Sequence, residues 1–104
     1  MSWGWTVIEE SDFAVLYDSP NYWIVEDKTT RSLPVMFTGE TKTLKNMIVD
    51  YTEDEKGNRI FVRAYFPKEQ IEYRLARRAF ERLTQGRKRE FQRLKRLMST
   101  MEVR

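Results

Sequence analysis

PKEQIEYRLARRAFERLTQGRKREFQRLKRLM, residues 67–98, decides the fold of this 104-residue chain, because it alone carries an unbroken helical period. At about 100° per residue with Leu75 as zero, Ile71, Leu75, Ala76, Ala79, Leu83, Leu94, Leu97 and Met98 fall within about 90° of one direction, with Phe80 and Phe91 beside them. Arg74, Arg78, Arg82, Arg89, Arg93 and Arg96 fall mostly in the other half of the wheel, flanked by Arg77, Lys88 and Lys95. One face is apolar and the other basic. Pro67 suits the first position of such a helix, where its missing N–H costs nothing.

Size constrains this helix. From Pro67 to Ser99 it would run about 50 Å, against a diameter of very roughly 33 Å for a compact domain of this length. Two outcomes follow. The helix breaks near Thr84-Gln85-Gly86-Arg87, where Gly can terminate it and Arg87 interrupts the apolar stripe, giving a helical hairpin. Otherwise its second half projects, and Phe91, Leu94, Leu97, Met98 and Met101 need a partner chain to cover them.

Working back from the helix, residues 1–66 read as short strands separated by turns. Trp3, Trp5 and Val7 alternate with Gly4 and Thr6, and Glu9 to Asp12 read as a charged turn. Phe13 to Tyr17 is apolar on both faces, the mark of an inner strand. Asp18-Ser19-Pro20-Asn21 is a turn leading to Tyr22–Val25, and pairing Tyr17 with Tyr22 sets Leu16 opposite Trp23 and Val15 opposite Ile24. Leu33 to Phe37 is placed at an edge because Pro34 cannot donate to a ladder. Residues 43–66 admit a short helix through Leu44, Met47, Ile48 and Tyr51, or a hairpin turning at Glu55 to Asn58. The hairpin is favoured: it sets Asp50 opposite Arg63 on one face and Met47/Phe66, Val49/Ala64 and Tyr51/Val62 as apolar pairs on the other. The fold class is therefore α+β. An antiparallel sheet of about five or six short strands (1–66) is followed by a basic amphipathic helix or helical hairpin (67–104), in one domain.

Composition narrows the function. With no Cys and no His, disulfides, zinc clusters, thiol nucleophiles and imidazole bases are excluded. No apolar run approaches the roughly 20 residues of a membrane span, and the opening MSWGWTVIEE lacks a signal or transit pattern, so a soluble, cytoplasmic chain without a membrane partner is expected. Residues 1–66 carry seven basic and eleven acidic residues, a net −4; residues 67–104 carry twelve and five, a net +7; together they make the +3 of the whole chain. Of 14 aromatic residues, 11 lie in 1–66, where packing a small β-rich core accounts for them better than base stacking does.

The functional expectation is non-catalytic binding, with no cofactor and no metal. The partner is nucleic acid or nucleoprotein, contacted mainly at its backbone by Arg74, Arg77, Arg78, Arg82, Lys88, Arg89, Arg93, Lys95 and Arg96, since guanidinium forks suit phosphates and no base-reading motif is present. The alternative is a small interaction module or inhibitor, in the style of viral or accessory regulators. It would dock Phe91, Leu94, Leu97, Met98 and Met101 on an acidic host protein or on its own copy. Two weaker carboxylate patterns stand beside these. Asp27, Glu40 and Lys42 loosely match the Asp…Glu-x-Lys spacing of metal-dependent nucleases. Asp50, Thr52 and Asp54 resemble a calcium loop whose glycine is misplaced, and a solvated hairpin end explains them better.

Overall fold

In the computed structural model, residues 4–31, 33, 36–42 and 47–102 are described, with 36–42 and 101–102 followed by backbone only. Six strands precede one helix: β1 (Thr6–Glu10), β2 (Ala14–Asp18), β3 (Tyr22–Asp27), β4 (Met36–Lys42), β5 (Met47–Glu53), β6 (Arg59–Pro67) and α1 (Tyr73–Glu102), with a 3₁₀ turn at Lys28–Thr30 after β3. The strands form one sheet in the order β1-β2-β3-β6-β5-β4, antiparallel at every step. The fold is α+β, with β2 inside the sheet and β4 at its edge. Pro34 lies outside the described residues, as does the stretch 43–46.

Both tight turns are built by short side chains that satisfy the backbone locally. At β2–β3 the Ser19 N–H donates to Tyr22 O at 2.9 Å, while the Ser19 hydroxyl accepts from Tyr22 N–H at 3.2 Å. At β5–β6 Asp54 Oδ1 accepts the N–H groups of Lys56 and Asn58, both at 2.9 Å, and Gly57 takes φ +85°, a conformation that penalises a side chain. Those bonds hold the Asp54 carboxyl below its usual range, first through Asn58. They also explain why Asp54 is a turn former and no calcium ligand.

The two hairpin registers differ from expectation in instructive ways. In β2–β3 the pairs are Leu16↔Val25 and Tyr17↔Ile24, displaced by two residues because the turn begins at Ser19. A shift of two leaves every side chain on its face, so the inside-outside pattern survives the error. In β5–β6, Val49↔Ala64 and Asp50↔Arg63 pair as expected, but Tyr51 meets Phe61 and not Val62. The register slips there, and Val62, the extra residue of the bulge, is fully buried. At the N-terminus Glu9 and Glu10 belong to β1, and the turn is confined to residues 11–13. Trp3 lies outside the described residues.

The helix starts later than the sequence suggests. Pro67 ends β6, paired with Tyr22, and its carbonyl accepts from Gln70 and Ile71 at 3.1 and 3.0 Å. This turn consumes residues 68–71 before α1 begins. From Tyr73 onward α1 is unbroken: Gly86 does not end it, and the helical hairpin is ruled out. The stripe that docks is rotated from the one read in sequence. Ala76 and Phe80 are buried against Ala14, Leu16 and Val25, with Trp23, Phe66, Ala79 and Leu83 around them. Leu75, counted in the stripe read from sequence, is 41% exposed. The centre runs through Ala76, Phe80, Leu83 and Arg87, at spacings of four, three and four.

Arg87 is the departure that explains the rest. Its Nε donates to Asp27 Oδ2 at 2.7 Å, and Asp27 is wholly buried at the end of β3. Asp27 Oδ1 accepts from Thr29 N–H at 2.9 Å and the Thr29 hydroxyl at 2.6 Å. Nearby, Ser11 Oγ and Thr84 Oγ1 lie 2.8 Å apart, tying the β1–β2 turn to the helix where a break was anticipated. The helix is thus held by apolar contacts over its first turns and by polar ties at Thr84 and Arg87. Phe13 and Phe91, 5.9 Å apart, make the last ring contact with the sheet. Beyond them α1 overhangs, and the molecule measures 56 × 28 × 28 Å.

Candidate nucleic-acid interface

The nine cations assigned to the basic face divide into two groups. Arg74 Nε donates to Glu72 Oε1 at 2.7 Å on the surface. Arg77 reaches across to β1, where its Nε and Nη2 meet the two oxygens of Glu9 at 3.0 and 3.2 Å, and it also pairs with Glu81. Both arginines are paired with acids of the same chain, Arg74 on the open surface and Arg77 across to the sheet. Lys95 lies with its ammonium 5.5 Å from the Phe91 ring centroid. Arg78, Arg82, Lys88, Arg89, Arg93 and Arg96 are exposed and have no ion pair among the described residues.

These six form a coherent surface. On an ideal helix Arg78, Arg82, Arg89, Arg93 and Arg96 lie within an arc of about 60°, with Lys88 on its flank. From Arg78 to Arg96 the ladder extends about 27 Å. Its polarity is set by what happens on the other sides of α1. Glu81 is drawn to Arg77, and Glu90 to Arg87 Nη1 at 3.0 Å. The two helix acids nearest the ladder are thereby neutralised by arginines that lean towards the sheet. Arg87, left out of the basic face by the sequence reading, is what draws Glu90 away. Its place within an apolar stripe was the available signal.

The opposite, apolar side of the overhang is equally uncovered. Phe91, Leu94, Leu97 and Met98 are 50–58% exposed. The side chain of Met101 lies outside the described residues. A shallow cavity of about 370 Å³ separates the root of this stripe from the end of the sheet, lined by Phe13, Thr30, Ile60, Arg87, Phe91 and Leu94 among others.

The three nuclease-like residues belong to strands far apart in the sheet. The described contacts of the Asp27 carboxylate are with Thr29 and Arg87, and Glu40 and Lys42 belong to β4, three strands from β3 in the sheet order. That separation is about 14 Å at the usual strand spacing. Among the described residues, no group of three acidic side chains is arranged to hold a metal ion.

A second polar constellation lies on the sheet face away from the helix, and only its Asp50–Arg63 pair was foreseen. Glu26 and Asp50 are nearly buried, and Arg63 Nε sits between them at 3.7 and 3.6 Å without a hydrogen bond of its own. The hydroxyls of Tyr17 and Tyr65 donate to Glu26 Oε1 and Asp50 Oδ2, both at 2.7 Å. Trp5 covers the group, its ring 5.1 Å from Tyr17, 6.0 Å from Tyr65 and 5.9 Å from the Arg63 guanidinium. Burial first, and the carboxylate neighbours second, push both tyrosines up to about 12. Two carboxylates are matched by Arg63 and by Arg31, whose Nη2 reaches Glu26 at 3.3 Å, so the cluster is internally balanced and presents no reactive group.

No family model, no curated protein and no solved structure matches this chain.

Proposed function

We propose that the protein binds nucleic acid or nucleoprotein through the outer face of α1, by contacts to phosphates. The observation that carries this reading is the ladder Arg78, Arg82, Arg89, Arg93 and Arg96. It is an uncompensated row about 27 Å long, on a helix whose nearby acids are already paired. A face serving solubility alone interleaves both signs. Contacts of this kind fix position and carry little sequence information, so preference among sequences is expected to be slight.

Salt tests it. With about five phosphates contacted, log K against log salt should fall with a slope near −4.5, so that binding weakens roughly 500-fold between 50 and 200 mM. Replacing Arg78, Arg82 and Arg89 together by Gln should flatten the slope by about 2.7 and leave the fold intact, because these side chains are exposed and have no ion pair among the described residues. A double change to Gln at Arg74 and Arg77, which pair with Glu72, Glu9 and Glu81, should leave most of the slope in place. Absence of measurable affinity for single- and double-stranded nucleic acid at 50 mM salt would refute the proposal.

A further inference from the structure

The overhanging half of α1 carries Phe91, Leu94 and Met98 at spacings of three and four, continued in sequence by Met101, the a and d positions of a heptad seam. Leu97 borders them, and all four described members are 50–58% exposed. Nearer its N-terminus the same stripe, through Ala76 and Phe80, lies on the sheet. That continuity dictates how any two-fold partner must approach. In a parallel pair each sheet sits on the seam side of its own helix, and both would claim the space around the axis. In an antiparallel pair the two sheets lie at opposite ends and clear one another.

We propose that this segment pairs antiparallel with the same segment of a second copy of the chain. An isologous register exists, with Leu94 against Met98 of the other copy, Met98 against its Leu94, and positions 91 and 101 closing each end. Leu97 meets its own counterpart on one flank. Lys95 meets its counterpart on the other, with its ammonium turned towards the Phe91 ring. At the ends of the seam position 88, a lysine, opposes position 102, a glutamate, so the charges favour this orientation. The tip of each helix arrives at the cavity between the other copy's sheet end and Phe91 and Leu94. Such a seam buries on the order of 1,000 Å² over both copies, the low end for a specific interface, so a dimer in the micromolar range is expected. Both arginine ladders stay outside the seam, and the pairing does not rest on their binding nucleic acid.

Sedimentation equilibrium from 1 to 200 μM is expected to show the mass rising from 12.6 kDa towards twice that value. Leu94→Glu should weaken dimerisation at least about 100-fold and leave the circular dichroism of dilute protein unchanged, since Leu94 is 56% exposed. Orientation is read with Leu97→Cys in this cysteine-free chain: flanking positions of this type adjoin across an antiparallel seam and lie apart in a parallel one, so oxidation should yield a covalent dimer. A wild-type chain that remains at 12.6 kDa throughout overturns the proposal. So does a Leu94→Glu chain that dimerises like wild type, or a dimer in which Leu97→Cys fails to cross-link.

Discussion

Two buried carboxylates, Asp27 and Glu26, sit side by side on β3 and face opposite ways, each matched by an arginine from elsewhere in the chain. Taking away the arginine alone strands a charge. Arg87→Met is therefore expected to cost about 3 kcal/mol in urea unfolding, and adding Asp27→Asn should recover part of that, because the amide carries no charge while still serving Thr29. A double variant less stable than Arg87→Met would show that the pair itself is not what holds the site. On the other face Tyr17 and Tyr65 give a pH signature. Both bind their protons more tightly folded than unfolded, with values near 12 against about 10 for a free tyrosine, so their stabilising contribution is complete below pH 10 and is lost between about 10 and 12. The alkaline fall in stability over that window should be shallower in Tyr65→Phe, whereas an unchanged curve would mean that its hydroxyl does not contribute. These long-range partners were mostly illegible in sequence. Asp50–Arg63 emerged from counting along one hairpin, but Asp27–Arg87 joins residues 60 apart, and only the polar intrusion of Arg87 into an apolar stripe hinted at it.

Among elements, α1 was the most legible and also the most misjudged. Its period was plain over about nine turns, yet its docked face was rotated, because averaging over the whole segment gave the overhang's Leu97 the same weight as the buried Phe80. Its start was misplaced because Pro67 is as acceptable at the end of β6 as at a first helical position. Its middle admitted a break or an unbroken helix, and the helix continues because Gly86 costs it only about 1 kcal/mol, less than what Phe80, Arg87 and Phe91 gain by docking on either side. A methyl group at Gly86 would meet nothing within 4 Å. Gly86→Ala should accordingly raise stability by about 1 kcal/mol in thermal or urea unfolding, with the overhang more strongly helical in dilute solution. Destabilisation by this substitution would show that Gly86 serves a conformation other than the continuous helix. Among the strands, alternation fixed which residues face the core even where the register was two residues out, and the bulge at Val62 escaped because nothing in Phe61-Val62-Arg63 marks an extra residue.

As a whole, the molecule has a radius of gyration of 15.4 Å, above the ~13 Å expected of a compact chain this long, and the excess comes from the overhang. The charge division seen in sequence becomes spatial: the sheet carries the acids, and the far side of α1 carries the unpaired bases. The strand order has a further consequence, for the sequence of events by which the protein forms. β1, β2 and β3 pair with near neighbours in the chain, and so do β5 and β6, but the ladder joining these halves sets Tyr22 against Pro67 and Glu26 against Arg63, between 37 and 45 residues apart. That closure carries most of the loop entropy, and it must wait until β6 has been made. The floor on which the helix lies, Ala14, Leu16 and Val25, belongs to the earlier half. During synthesis it therefore stands bare until the last third of the chain emerges, and it is the final segment that shields the first from sticking to other chains.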